Sequence, residues 1–161
     1  MKTAVCPGSF DPVTLGHIDI FRRAAAAFDR VIVLVMQNAA KQPLFTLEER
    51  CALIRASAAD IRHLEVDVFS GMTTDYTAAH RIDAIVKGIR TASDYEYETS
   101  IAAVLKSYGG PDTFLLPCSP QLAHVTTSTA LHLFSLNQDV SAYFPPPVIA
   151  ALEERRRRQY N

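Results

Sequence analysis

Residues 31–36 read VIVLVM, an unbroken apolar run rich in β-branched side chains. A strand of that kind has no polar face to turn to water, so it must be covered on both sides. The rest of the chain has to supply those covers, and its patterning shows how. Thr3-Ala4-Val5-Cys6 reads as a short buried strand ended by Pro7-Gly8. LEVDVF (Leu64 to Phe69) alternates and reads as a third strand, DAIVKG (Asp83 to Gly88) as a fourth and DTFLLP (Asp112 to Pro117) as a fifth. Between them, Ile18, Phe21, Ala25 and Phe28 recur at helical steps and give a helix with one apolar face. Thr46 with Glu49 matches a capping box ahead of Leu47, Leu53 and Ile54. A short helix is expected before the fourth strand, and others over roughly Tyr95 to Ser107 and Ser128 to Leu136. Pro145-Pro146-Pro147 is read as a break, with a last helix starting at Val148 and ending in Arg155 to Arg158.

Strands alternating with helices at this spacing predict βαβ units joined by right-handed crossovers. The expected fold is α/β: a Rossmann-like, doubly wound, mostly parallel five-stranded sheet with helices on both faces. The length of 161 residues favours one domain over 1–161. Ligands in such sheets bind beyond the carboxyl ends of the strands, near a switch in strand order. That rule selects the segments 7–17, 37–45, 70–75, 88–95 and 117–128.

A net charge of -1 supplies no global basic field, so nucleic acid is not expected as the main partner. No apolar run approaches the roughly 20 residues of a membrane span, so no membrane partner is expected either. Met1-Lys2 leads straight into an apolar run and Pro7-Gly8, without the pattern of a signal peptide. Cys6, Cys51 and Cys118 are odd in number and widely spaced, which fits reduced thiols and a cytoplasmic location. The four-arginine run reads as the solvated, dipole-favoured end of a helix.

CPGSFDPVTLGHIDIF (residues 6–21) concentrates turn-forming and polar residues between a strand and a helix. Gly8 and Gly16 let backbone approach a ligand closely. Ser9 offers a hydroxyl and Phe10 a backbone N–H. His17 falls in the first helical turn, where free N–H groups and the dipole favour anions. The same residues also suit a tight turn with His17 merely at a helix start. Farther on, Lys87-Gly88-Ile89-Arg90 ends a strand with two cations beside a glycine: an anion clamp, or a strand-end salt bridge. No Ser/His/Asp or Cys/His constellation suggests a covalent nucleophile. No G-x-G-x-x-G follows a strand, and no G-x-x-x-x-G-K-[ST] is present.

PGSFDPVTLGHIDI resembles the signature of HxGH-type nucleotidyltransferases, with Thr14-Leu15-Gly16-His17 as a TxGH variant. KQPLFTLEER (Lys41 to Arg50) and IVKGIRTASDYEYE (Ile85 to Glu98) are similar, in order and spacing, to segments of the bacterial phosphopantetheine adenylyltransferase family. That resemblance implies direct transfer of an adenylyl group from ATP to 4'-phosphopantetheine, with magnesium accompanying the nucleotide. It implies His17 as the transition-state stabiliser. It implies ATP contacts from Ser9, Phe10, Gly88, Ile89, Arg90, Glu98, Val125, Thr126, Thr127 and Ser128. Phosphopantetheine contacts are implied from Ser9, Lys41, Thr73 and Lys87. A hexamer and feedback by coenzyme A belong to the same expectation. The chain departs from the family's pattern at Ala130-Leu131, where a basic residue is often found, and along the helix from Glu98. Two other readings stay open: a nucleotidyltransferase using another phosphorylated acceptor, and a non-catalytic nucleotide-binding regulator.

Overall fold

The computed structural model describes residues 1–37 and 42–159. Five strands, β1 (Thr3–Gly8), β2 (Arg30–Met36), β3 (Leu64–Phe69), β4 (Ala84–Ile89) and β5 (Asp112–Pro117), form one parallel sheet. Their order is β3-β2-β1-β4-β5. The helices are α1 (Leu15–Ala27), α2 (Leu47–Ser57), α3 (Thr73–Ala79), α4 (Ala92–Ser107), α5 (Thr127–Ser135) and α6 (Pro146–Gln159).

Alternation along the strands divides the core into two layers. Ala4, Cys6, Val31, Val33, Val35, Ala84 and Val86 point to one face and pack with residues of α1, α2, α5 and α6. Val5, Ile32, Leu34 and Ile85 point to the other, against Tyr76 of α3 and Leu105 of α4. VIVLVM thus feeds both layers, as its lack of a polar face requires. Burying a side chain such as Ile32 or Leu34 contributes about 1.5–3 kcal/mol, which anchors β2 between its neighbours. The chain winds outward from β1 through β2 to β3, crosses under by α3, and winds the other way from β4 to β5. Right-handed crossovers then place α1 and α2 on one face and α3 and α4 on the other. The Rossmann-like, doubly wound sheet expected from the sequence is the fold observed.

Three boundaries differ from the sequence reading by two residues or more. β1 does not stop before Pro7-Gly8: Pro7 pairs in register with Leu34 and Gly8 with Val35. Proline is tolerated there because the ladder from β1 to β4 covers only Ala4–Ala84 and Val5–Ile85. Beyond Val5 the strand is an edge on that side, where proline is compatible. The three prolines do not break the chain before the last helix. Pro146 and Pro147 open α6, whose first turn has no use for their missing N–H groups. α4 begins at Ala92 rather than near Tyr95, because Thr91 caps it by accepting from the Asp94 N–H at 3.1 Å.

The arginine run is only partly solvated. Arg157 and Arg158 pair with Glu153 and Glu154 one turn back. Arg155 lies over the Phe45 ring and Arg156 over Phe134, 5.7 and 4.7 Å from the ring centres. These contacts bind α6 to the segment before α2 and to α5.

Candidate active site

Past Val5 and Ile85, β1 continues beside β2 while β4 continues beside β5. The two central strands therefore part at their carboxyl ends, at the point where strand order reverses. The gap opens into a cleft of about 1040 Å³. Its walls come from the β1–α1 turn, the ends of β4 and β5, the start of α4, the turn before α5, and the segment leading into α2.

Most residues singled out by sequence meet here. Ser9, Phe10, His17, Lys87, Gly88, Arg90, Glu98, Val125, Thr126, Thr127 and Ser128 all line the cleft. Ile89 and Thr73 do not: Ile89 ends β4 outside the lining, and Thr73 opens α3. Lys41 lies outside the described residues.

His17 occupies the third position of α1 and completes its cap. Thr14 accepts from the His17 backbone N–H at 3.3 Å, and the His17 ring in turn accepts from the Thr14 backbone N–H at Nδ1, 3.0 Å away. A backbone N–H can only donate, so Nδ1 holds a lone pair and the neutral ring carries its proton on Nε2. Burial pushes the imidazole pKa down to about 4, with the positive charges of Arg90 and Lys87 adding to the effect. At neutral pH the ring is uncharged, with Nε2–H as its donor. Phe10 sets its orientation, meeting the His17 ring edge-on at 5.1 Å and Phe21 at 5.3 Å.

The two cations at the end of β4 are held differently. Lys87 Nζ lies 3.2 Å from Glu98 Oε1, both side chains being half-buried. Arg90 donates to Asp94 Oδ2 at 3.2 Å and to the Val125 carbonyl at 3.1 Å. Arg90 thereby ties the start of α4 to the turn before α5. That turn carries hydroxyls at the head of a helix: Thr126 caps α5 by accepting from the Thr129 N–H at 3.0 Å, and Thr127 and Ser128 follow in its first turn. Free N–H groups, hydroxyls and a fixed guanidinium form a surface suited to phosphate oxygens.

Cys6 and Cys118 also line the cleft. Burial pushes the Cys6 thiol up to about 12, so it stays protonated at neutral pH and is no nucleophile. Among the described residues no cluster of three or more His, Cys, Asp or Glu is arranged to hold a metal ion.

Gly8 and Gly16 prove unlike each other. A Cβ on Gly8 would stand 2.6 Å from the tip of the Phe10 ring, so this glycine makes room for a side chain rather than for a ligand. Gly88 likewise admits Ile20, 2.8 Å from where a Cβ would be. A Cβ on Gly16 would meet Thr14 and Val125 only at ordinary contact distances, 3.5 Å and beyond. Gly8→Ala should therefore lower stability by about 1–3 kcal/mol through overpacking. Gly16→Ala should fold at least as stably as the parent, since alanine is the better helix former, yet bind nucleotide more weakly. Urea unfolding and nucleotide titration of the two variants check the contrast. Equal stability loss at both positions would refute it.

Two contributors went unnoticed in the sequence. Asp11 accepts from the Leu44 and Phe45 N–H groups at 2.6 and 2.8 Å, fastening the β1–α1 turn to the segment before α2. Arg50 on α2 is buried at 4% exposure and reaches across to the Ser9 carbonyl at 2.9 Å.

The cytidylyltransferase-like family model matches residues 5–110, the larger part of the chain. The chain belongs to the cytidylyltransferase-like family. For this cytidylyltransferase-like chain the match runs from within β1 to just past α4, so it includes the β1–α1 turn, the β4 cations and Glu98. β5, α5 and α6 lie beyond it, together with Val125–Ser128. The fold is similar to that of the lipopolysaccharide core biosynthesis protein from Thermoplasma volcanium GSS1. That match has 20% identity and a TM-score of 0.54, over 74% of this chain and 97% of the other. The general chemistry of the family, nucleotidyl transfer, fits a cleft built around cations, amides and a neutral histidine.

Proposed function

We propose that this chain transfers the adenylyl group of ATP to the phosphate of 4'-phosphopantetheine, giving dephospho-coenzyme A and pyrophosphate. The observation that carries the reading is a convergence: His17, Lys87, Arg90 and the Thr126–Ser128 turn face one cleft where β1 and β4 part. The choice of acceptor is supported by the three sequence segments that resemble phosphopantetheine adenylyltransferases.

In the proposed reaction a phosphate oxygen of the acceptor attacks the α-phosphorus of ATP. A new P–O bond forms, the bond from the α-phosphorus to the bridging oxygen breaks, and pyrophosphate carries off that electron pair. The barrier is lowered by donors fixed in advance where charge develops and by alignment of the reactants. His17 Nε2–H donates to an α-phosphoryl oxygen. Arg90, already braced by Asp94 and Val125, and the N–H groups heading α5 take the β- and γ-phosphates. Lys87, 3.2 Å from Glu98, is assigned to the phosphates, and Ser9 to the acceptor; the resemblance adds Lys41 to the acceptor contacts. Magnesium, when bound with ATP, would neutralise part of the phosphate charge that Lys87 and Arg90 face. Of the cleft carboxylates Asp11, Glu48, Asp94 and Glu98, the first is engaged by the Leu44 and Phe45 N–H groups and the last two by Arg90 and Lys87, and among the described residues no three ligating side chains come together, so the donor set offers no ready cage, and the ion needs none when it travels on ATP.

The proposal extends to a cytoplasmic enzyme that assembles as a hexamer and responds to coenzyme A. Tyr97, Val104 and Tyr108 stand exposed along α4 and its C-terminal end, which supports a partner surface there. The function is tested by incubating the protein with magnesium and either ATP or CTP, against a panel of phosphorylated acceptors. The expected result is pyrophosphate release with ATP and 4'-phosphopantetheine. Release only with another acceptor or with CTP would reassign the substrate. Nucleotide binding without release on any acceptor would make the chain a regulator.

A further inference from the structure

Arg50 is charged, almost wholly buried and without a carboxylate partner among the described residues. An unpaired buried cation is costly unless its donors are used. Its Nη1 donates to the Ser9 carbonyl at 2.9 Å, and its Nε lies 3.4 Å from the Thr46 carbonyl. The one carboxylate of the β1–α1 turn, Asp11, turns instead to Leu44 and Phe45. The charge of Arg50 is thus directed at a single peptide group of the turn, the one joining Ser9 to Phe10.

That peptide has a free side. Neither the Ser9 N–H nor the Phe10 N–H has a hydrogen-bond partner among the described residues. In a trans peptide the carbonyl and the N–H point in opposite directions. A cation gripping the Ser9 carbonyl therefore turns the Phe10 N–H away from α2. The same cation polarises the peptide and makes that N–H a stronger donor, as in any hydrogen-bonded chain. Phe10 itself has φ +46, a left-handed conformation that costs a non-glycine residue energy and persists only when its surroundings enforce it.

We infer that Arg50 is a positioning residue for nucleotidyl transfer: by holding the Ser9 carbonyl it orients and polarises the Phe10 N–H as a donor to the phosphates. This rests on nucleotidyl transfer in the cleft and not on the identity of the acceptor. Arg50 also borders the cleft, but the hydrogen bonds of its guanidinium go to the Ser9 and Thr46 carbonyls. It acts through the Ser9–Phe10 peptide, while Asp11, next along the turn, ties the turn to the Leu44 and Phe45 N–H groups.

The test follows the Phe10 amide by proton–nitrogen NMR in the free protein and on adding magnesium ATP, with steady-state kinetics alongside. In Arg50→Gln the Phe10 resonance should move from its parental position and lose its response to magnesium ATP. kcat should fall about 10- to 100-fold, the scale of a small misplacement, with the KM for ATP changing much less. Arg50→Lys keeps a charge but not the fork and should fall between the two, in both readouts. Should Arg50→Gln fail to fold, Arg50→Lys carries the test by the same displaced resonance. A Phe10 amide that keeps its parental position and its ATP response in the folded variants overturns the inference. So does a loss of activity no larger than the fraction unfolded. A parent protein that transfers nothing to any acceptor would instead sink the functional reading, while the amide readout would still judge Arg50.

Discussion

Substituting His17 by Ala is expected to lower kcat by about 10²–10³ or more, the scale of removing one preorganised donor from a charge-developing site. The fold should survive. The ring's structural duty is one half of a helix cap, worth about 1 kcal/mol, and Thr14 keeps its own bond to the His17 backbone N–H. Urea unfolding beside single-turnover kinetics separates the two effects. The pH dependence provides a second check. The folded pKa is lowered from the ordinary 6.5 to about 4. As pH falls through that window the unfolded chain takes up a proton that the folded chain refuses. The contribution of His17 to stability is thus fully present above pH 6.5 and is lost on acidification toward 4. His17→Ala should flatten this part of the stability profile. In the parent enzyme, kcat should show no titration of His17 between pH 7 and 5, since the ring stays neutral throughout. A kcat that rises on acidification with a midpoint near 6.5 would mean that the imidazolium does the work, against the tautomer assigned here.

The second large effect is expected at Lys87. Lys87→Ala removes a cation facing the cleft and also leaves Glu98 without its partner at 3.2 Å. An unpaired carboxylate in a half-buried cleft repels a polyphosphate. The loss of kcat/KM should therefore reach about 10²-fold or more, beyond what one missing point charge explains. Adding Glu98→Gln to Lys87→Ala should recover part of that loss, because it removes the repulsion without restoring the cation. The coupling between the two sites is read from the four-member mutant cycle of kcat/KM values. Additive losses would show that Glu98 contacts the nucleotide independently of Lys87.

The residues that carry these effects were legible for a physical reason. Lys87 and Arg90 lie at the carboxyl end of β4 and His17 at the head of the helix after β1, where the topology sends ligands, and their charges and neighbouring glycines stand out in any reading. The covers of the sheet were equally legible, since VIVLVM admits only burial on both faces. What escaped was cross-chain. Arg50 reads in sequence as one more polar residue on α2, and its burial exists only once the β1–α1 turn folds back onto that helix. Asp11 reads as a turn residue, yet it serves amides more than thirty positions away. The cap of α1 was hidden because sequence rules look for Glu or Gln at its third position, and here His17 fills that part. Pro7 misled because proline commonly ends a strand, whereas here it lies where β1 has already lost one neighbour.

The most direct measurement of the central claim is a labelling experiment. ATP carrying a radioactive α-phosphorus is incubated with magnesium, the protein and 4'-phosphopantetheine, and the label is followed by chromatography. Label is expected in dephospho-coenzyme A, with unlabelled pyrophosphate in equal amount and none held covalently on the protein at any time. Label trapped on the protein, or remaining in ATP while ATP stays bound, would contradict direct adenylyl transfer in this cleft.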